Sequence, residues 1–415
     1  MVRWMLSIDI AYLKIKNMMS RLKQNRLLYF ICFQLICLSG SVFYYIQYPM
    51  FGIMLWVVSF FVYWSKHKNV AEIMRENFAL FSFWIIWILL CSFIIHSSPK
   101  DNEVWTVCLF PLGSMLLCSS VGFNKFRMVL YDVAKWVFGI SLIVHILHSI
   151  GILGVSYMSF NNAASVAMTF YVFHTEWGTI ATPFGDVYRY SSIFWEAGQC
   201  QIVLFFILLL FTDDLKNRLL DFRYLLKKYG IFFLAFLFTG STTGYLVLMI
   251  YICILILYSR TAKKYKGLYP FFIFFAAVIV FVIYNSPVVQ DKLAQSSDSS
   301  EQTSYAIRMI DNMACLKAAW ENKLFGLGYN TPALYSVLSK YGSVTSANGF
   351  LRAGAAFGIY FVLFLWFVMW RMVKRMNLGV PGIMLAACLI FSQSNEYYIA
   401  FPYMFMYYFK FKDYE

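Results

Sequence analysis

Long apolar runs separated by short polar breaks organise this chain. Runs of about 15–22 apolar residues recur from Leu27 to Lys410, long enough to cross the hydrocarbon core of a bilayer. Hydropathy and breaker residues together predict about twelve spans. Nine fall within residues 27–284: Leu27–Ile46, Met50–Trp64, Phe78–Ile95, Val104–Val121, Trp136–Val155, Ser191–Phe211, a pair within Gly230–Tyr258, and Leu268–Tyr284. The pair is split because Gly240-Ser-Thr-Thr-Gly244 interrupts an apolar stretch too long for one crossing. Three more fill residues 347–410: Asn348–Trp370, Gly382–Ser392 and Tyr397–Tyr408.

The remaining residues are polar leads and loops. Residues 1–26 read as a retained cytoplasmic amphipathic lead, 156–190 as a polar stretch, 285–346 as one large loop, and 411–415 as a tail. Within the large loop, Ile307, Ile310, Ala314 and Ala318 recur at helical spacing and predict a helix from Tyr305 to Trp320. Thr331 as cap and Pro332 in the first turn predict a second helix that stops at Gly342. The expectation is a small helical cap on the membrane surface with its apolar side toward the bundle. The fold class is therefore all-α: a polytopic membrane protein of about twelve transmembrane helices with one large external helical loop. A β-barrel is excluded, because its strands would be shorter and alternating.

Composition agrees. The chain is 61% hydrophobic, 20% aromatic and only 13% charged. The net charge of +14 suggests nucleic acid until its distribution is read. Lys and Arg cluster in alternate short loops, the strongest being Lys216, Arg218, Arg223, Lys227 and Lys228. With the N-terminus inside, about 26 of these cations fall on the cytoplasmic side and about eight elsewhere, which is the positive-inside pattern. Both termini are then cytoplasmic, and residues 156–190, 285–346, the Gly240–Gly244 break and Glu396 face outward. In a bacterium this means the inner (cytoplasmic) membrane, with the large loop on its periplasmic or extracellular side. The nine cysteines lie mostly in apolar runs and show no metal-ligand spacing, so they read as small core residues.

Candidate chemistry sits at the outer ends. Glu196, in Arg189-Tyr-Ser-Ser-Ile-Phe-Trp195-Glu196-Ala-Gly198-Gln199, is expected about two turns inside its span. A carboxylate there costs roughly 2.5–3.5 kcal/mol on insertion scales and so must face the bundle or a cavity. It reads either as a proton acceptor or as an interhelical pair with His145 or His148. Arg308 reads as an anion ligand or as a surface pair with Asp311. Arg352, just inside the tenth span, either snorkels to the interface or points into an outward cavity. Arg189, Arg308 and Arg352 are three of the few external cations, and their planar forks suit phosphate oxygens. His145 and His148 form a proton site or simply pack. No P-loop, GxGxxG after a strand, HExxH or GxSxG occurs, and no cytoplasmic loop is long enough for a nucleotide-binding domain. No metal or cofactor is called for.

Four blocks carry a resemblance. They are Arg189 through Phe194-Trp195-Glu196-Ala-Gly198-Gln199; Ser241-Thr-Thr-Gly244 at a span junction; Arg308 to Trp320 followed by Asn322-Lys-Leu-Phe-Gly326-Leu-Gly328; and Asn348-Gly-Phe-Leu-Arg352 leading to Phe357-Gly358. In order and setting, across roughly residues 185–370, they resemble the O-antigen ligase and polymerase superfamily, in particular Wzy-type polysaccharide polymerases. The chain departs from that pattern at Thr242, where relatives often have Arg, at Lys323, where they often have Pro, and at Ala347, where ligases typically have His.

The resemblance implies glycosyl transfer from an undecaprenyl-diphosphate-linked oligosaccharide on the outer face of the membrane. It implies Glu196, Arg189 and Arg308 as catalytic residues, and Arg352, Asn348, Ser241, Thr243 and Trp320 as substrate-binding ones. Membrane lipid, a chain-length regulator and a repeat-unit flippase are the implied partners; nucleic acid is not. A ligase acting on a lipid or protein acceptor is the alternative. A transporter is a further one, although only one broken region, Gly240–Gly244, is visible where a transporter would carry a matching pair.

Overall fold

The computed structural model of the protein describes residues 25–41, 71–95, 103–154, 156–158, 166–169, 174–175, 179–182, 185–219, 221–259, 304–329, 331–342, 349–375 and 405–412, with isolated positions elsewhere. The described residues are mostly helical. Helix α1 is Asn25–Cys37. Helix α2 (Ala71–Leu89) runs on into a π-helical turn, Leu90–Ile95, and α3 (Glu103–Ser120) leads to the long α4 (Phe123–Ser149). Then come α5 (Ala197–Leu210), the short α6 (Thr212–Asn217), α7 (Phe222–Phe238) and α8 (Thr242–Tyr258). The C-terminal part holds α9 (Ser304–Glu321), α10 (Pro332–Lys340), α11 (Gly349–Phe357), α12 (Ile359–Arg375) and α13 (Phe405–Tyr408).

Two stretches among these residues are long and apolar enough to cross a membrane, Glu72–Phe93 and Phe123–Ser149. Five apolar helices are shorter: Asn25–Cys37, Cys108–Ser120, Ala197–Leu210, Thr243–Ile256 and Ile359–Arg371. The spans expected over 50–64, 268–284, 382–392 and most of 397–408 lie largely outside the described residues.

Three expectations are corrected. The fold is not all-α: the described residues of the polar stretch over 156–190 carry short strands beside the helical bundle. Strands β1 (Ser156–Met158), β2 (Val166–Thr169) and β3 (His174–Thr175) form one antiparallel sheet in that order. Strands β4 (Thr179–Thr182) and β5 (Gly185–Tyr188) form a second pair, with Thr179 opposite Tyr188. The sixth span starts late, at Ala197 rather than Ser191, because Ser192 adopts φ 55° and Phe194 bridges to Ser41 instead of entering a helix. The tenth span is broken at Gly358, whose φ of +90° ends α11 before α12 begins.

Side-chain contacts fix which ends lie together. Lys410 exchanges hydrogen bonds with Asn77 on α2, its N–H donating to Oδ1 at 2.8 Å and its carbonyl accepting from Nδ2 at 2.9 Å. Asn77 also donates to Ser119 at the end of α3. Phe411 packs on Phe123 and Phe126 at the start of α4. The Tyr131 hydroxyl donates to the carbonyl of Lys228 on α7, so the same end holds Lys125, Arg127, Lys228 and Lys410. Following α4 upward, Phe138 meets Phe232 and His145 meets Phe238, so α4 and α7 run in the same direction. Following α2 upward, Trp84 and Trp87 meet Phe361 of α12, and Ser92 meets Tyr329. The bundle thus has a basic end and an opposite end where His145, Ser92 and Tyr329 lie.

Helix α5 is buried on nearly all sides, as a helix without a polar face must be. It runs parallel to α8: Gln201 abuts Gly244, and further along both helices the Tyr251 hydroxyl donates to the Leu208 carbonyl at 3.0 Å. A Cβ at Gly244 would lie 2.5 Å from Gln201 Oε1, so the Gln201 side chain would have to shift to admit one.

Candidate functional site

Two groups of residues occupy the end of the bundle opposite the basic one. The first surrounds the N-termini of α5 and α8. The break between α7 and α8 falls where Gly240 takes φ 58°, and Ser241 caps α8, its Oγ accepting from the Gly244 N–H at 3.2 Å. Arg189 Nε donates to the Thr239 carbonyl at 3.1 Å, and the Tyr190 N–H donates to the Phe238 carbonyl at 2.9 Å. Tyr190 is anchored beneath by its hydroxyl, which donates to the Phe138 carbonyl at 3.0 Å. The Ser192 hydroxyl donates to that of Ser141 at 2.8 Å. These bonds pin the 189–194 segment across the end of α4 and α7.

Glu196 is therefore not two turns inside a span. It is the N-cap residue of α5, half-buried, in extended backbone, with no capping bond from its side chain. The parallel course of α5 and α8 sets it at about the level of the Thr239–Ser241 junction. Two helix N-termini with their partial positive charge thus lie side by side with Arg189 and Glu196. Thr243 is half-buried in the first turn of α8. His145 is fully buried and packs edge-to-face on Tyr190, with ring centroids 5.4 Å apart. His148 shares a hydrogen bond between Nδ1 and the Leu153 carbonyl at 2.9 Å, so in the neutral ring Nδ1 carries the proton. Its ring lies 4.8 Å from that of Tyr188. Neither histidine pairs with Glu196 through a described contact.

The second group is built from α9, the turn after it, and α11. Ala314, Cys315 and Ala318 of α9 and Ala353, Ala355 and Ala356 of α11 are all buried, and small residues of this kind let helix backbones approach closely. The turn Asn322–Gly328 then clamps onto the end of α11. Leu327 and Gly328 donate to the carbonyls of Ala355 and Ala356, both at 2.8 Å. Gly326 has φ 63°, and a Cβ on it would lie 2.4 Å from the Ala356 carbonyl carbon. The third and fourth blocks of the sequence pattern are therefore one backbone-knit unit, and that contact explains Gly326, whereas a Cβ on Gly328 would meet Thr331 and the Cys91 carbonyl instead.

Arg352 lies inside this unit, 4% exposed. It sits on the separate helix α11, the first part of the expected tenth span, which Gly358 divides from α12. Its Nη2 donates to the Tyr335 hydroxyl at 3.4 Å, and its guanidinium lies 5.8 Å from the Tyr329 ring centre and 5.9 Å from that of Tyr335. Tyr329 is held by stacking on Phe357 at 5.9 Å and by its N–H, which donates to Ser92 Oγ at 3.2 Å. Tyr335 is presented by α10, which Thr331 caps as the sequence indicates, its Oγ1 accepting from the Leu334 N–H at 3.2 Å. The tyrosine pair was not singled out from sequence; Tyr329, directly after Gly328, and Tyr335, one turn into a capped helix, were the available signal.

The predicted site residues thus fall into two groups at one end of the molecule: Arg189, Glu196, Ser241 and Thr243 in the first, Arg352 in the second. Arg308 lies near the start of α9, but its side chain is outside the described residues, and Asn348 is outside them altogether. Trp320 does not join the second group. It is 63% exposed on the far side of α9, with Lys323 Nζ 3.9 Å above its ring. Among the described residues no three His, Cys, Asp or Glu side chains converge as metal ligands.

The described residues form a mostly helical bundle, two of whose helices are long and apolar enough to cross a membrane, with Arg189 and Arg352 at one end. Residues 229–360 match the family model described as O-antigen ligase, a stretch that includes the Ser241 junction, α9, α10, α11 and the first residues of α12. Over this stretch, about a third of the chain, the protein is similar to that family. No curated protein and no solved structure matches the chain.

Proposed function

We propose that the protein polymerises undecaprenyl-diphosphate-linked oligosaccharide repeat units into a surface polysaccharide, on the outer face of the bacterial inner membrane. The observation that carries the reading is Arg352, buried between two tyrosine rings within the matched region, at the same end of the bundle as Arg189 and Glu196. A lipid diphosphate is the anion such arginines suit. In a single displacement the acceptor sugar hydroxyl attacks the anomeric carbon of the donor. The bond from that carbon to the diphosphate oxygen breaks, and the leaving diphosphate keeps the electron pair. Arg189 and Arg308 neutralise its charge, which is electrostatic stabilisation of the departing group. Glu196 accepts the acceptor proton, and the configuration at the anomeric carbon inverts.

A ligase is the second reading, favoured by the description of the matched family model itself. Ala347, where ligases typically carry His, favours the polymerase. Purified protein incubated with lipid-linked repeat units of its host tests both. A ladder of polymer lengths supports the polymerase, and a single transfer to another lipid or protein supports the ligase. Proton-dependent flux without a new glycosidic bond would overturn both.

A further inference from the structure

Helix α9 has two apolar faces, and only one of them is used by the fold. Ala314, Cys315 and Ala318 pack inward, while Met309, Met313, Leu316 and Trp320, spaced four, three and four residues apart, form a stripe on the opposite side. All four are exposed, and Leu324 extends the stripe into the following turn. The spacing is that of one helix face, so the outward residues are one continuous strip. Lys317 and Lys323 flank it on either side; Lys323 Nζ caps the Trp320 ring, and Lys317 Nζ lies 4.8 Å from the Tyr341 ring centre.

The position of the stripe is fixed by the backbone. The Ile359 N–H, at the first residue of α12, donates to the Lys323 carbonyl at 2.9 Å, and Gly358 lies against Leu324, where a Cβ would fall 2.4 Å from its carbonyl oxygen. The stripe therefore ends where α12 starts. The outward face of α12 is itself apolar and exposed, through Tyr360, Leu363 and Phe367, and it leads to Arg371, Lys374 and Arg375 at the other end. The exposed strip of α9 is continuous with the exposed apolar face of α12.

We propose that the outward stripe of α9 is a membrane-interface surface, seated among the phospholipids of the outer leaflet with Trp320 and Lys323 at headgroup level. Trp belongs at that depth because its ring is apolar and its N–H polar. Lysines on both flanks lay their stems along apolar surface and hold their charge in the headgroups. The same lysines disfavour a second copy of the chain, since a twofold interface on this strip would bring Lys317 and Lys323 against their own kind. The inference rests on α12 crossing the bilayer and not on which glycan is joined to which acceptor.

Photocrosslinking of the full chain in its native membrane tests it. A photoreactive amino acid is placed at position 316 or, separately, at 320, with position 336 on the exposed side of α10 as control, and adducts are identified by mass. Phospholipid adducts at 316 and 320, with none at 336, are expected. A dimer-sized product, an adduct of polyprenyl mass, or hydrolysed probe alone would each overturn the proposal. Quenching by brominated phospholipid in vesicles gives an independent readout: the quenchable tryptophan fluorescence falls in Trp320→Phe, and an unchanged quenchable fraction counts against interfacial seating. Neither readout depends on glycosyl transfer.

Discussion

Ile359 donates its backbone N–H to the carbonyl of Lys323 at 2.9 Å, joining the start of α12 to the turn that follows α9. The link is possible only because Gly358, between α11 and α12, takes φ +90° and has no Cβ to strike the Leu324 carbonyl. Alanine at this position meets both backbone strain and a collision with backbone atoms that cannot rotate away. Gly358→Ala is expected to destabilise the protein by about 2–4 kcal/mol. Gly342→Ala, where φ is also positive but the nearest atom is 3.7 Å away, is expected to cost about 1–2 kcal/mol. Thermal unfolding of the two variants in detergent checks the ranking; equal losses would remove the role given to the α9–α12 link.

Arg352 is expected to act through its charge and fork geometry together. Arg352→Gln should lower the rate of glycan elongation roughly 10²–10³-fold, the usual scale for losing one preorganised donor. Arg352→Lys should recover only part of it, because an ammonium lacks the paired donors. Tyr335→Phe, which removes one bond to the guanidinium, should have a smaller effect. Elongation rates on lipid-linked repeats measure all three, and full activity in Arg352→Gln would exclude the residue from the site.

Arg308→Ala is expected to collapse polymer length while leaving the protein in the membrane at wild-type amounts. Gel analysis of the glycan alongside an immunoblot of the membrane fraction separates the two effects. Polymer of normal length in this variant would remove Arg308 from the mechanism.

Gly244 and Gln201 should be coupled. Gly244→Ala forces the new methyl group against Gln201 Oε1, and Gln201→Ala removes that atom, so the double variant should be more stable than Gly244→Ala alone. A coupling of about 1–3 kcal/mol is expected for residues in contact. Additive losses in a double-mutant cycle would mean that the two helices are not held at this point.

At the basic end, Asp214 Oδ2 accepts from the Tyr224 hydroxyl at 2.8 Å, Lys228 Nζ at 2.7 Å and the Tyr229 hydroxyl at 2.6 Å. Burial opposes its ionisation, but the bonds from Lys228, Tyr229 and Tyr224 outweigh it and hold the carboxyl below the usual carboxylate range. A carboxyl depressed in the folded state contributes stability above its unfolded value, near pH 4, and that contribution is lost as pH falls through the lower folded value. Asp214→Asn should destabilise at neutral pH by about 1–3 kcal/mol, and its difference from wild type should shrink in acid below about pH 4. Melting temperatures across that range check the sign.

Local signals were legible where local chemistry decides. Thr331 and Pro332 marked the start of α10, the periodicity of Ile307, Ile310, Ala314 and Ala318 marked α9, and Gly240 marked the α7–α8 break. Helix ends were misjudged where hydropathy was used as a ruler. The span expected to start at Trp136 leaves Lys125, Arg127 and Lys135 outside it, yet all three ride on α4, which begins at Phe123: hydropathy marks only the apolar part of a helix, and the helix continues beyond it. The Gly358 break depends on a backbone partner more than thirty residues away, and the late start of α5 on a bridge to Ser41, so neither has a local signature. Of the site, Arg189, Arg308 and Arg352 were visible as rare cations outside the basic loops. Trp320 was visible only as an aromatic, and its outward orientation follows from the packing of Ala314 and Ala318.

The parallel course of α5 and α8 has a consequence for chain length. The excursion between them, through α6 and α7, crosses to the basic end and returns, and it is fastened at each turnaround by a different set of bonds. An inserted residue between Arg218 and Asp221 would disturb the grip of Tyr224, Lys228 and Tyr229 on Asp214 while leaving the Arg189–Thr239 bond in place. One inserted at Gly240 would swing Ser241 about 100° around the α8 axis and away from Glu196, with the far turnaround intact. The two ends of the bundle can therefore drift in length independently, and under the proposed mechanism only the end bearing Arg189 and Glu196 has its spacing held fixed.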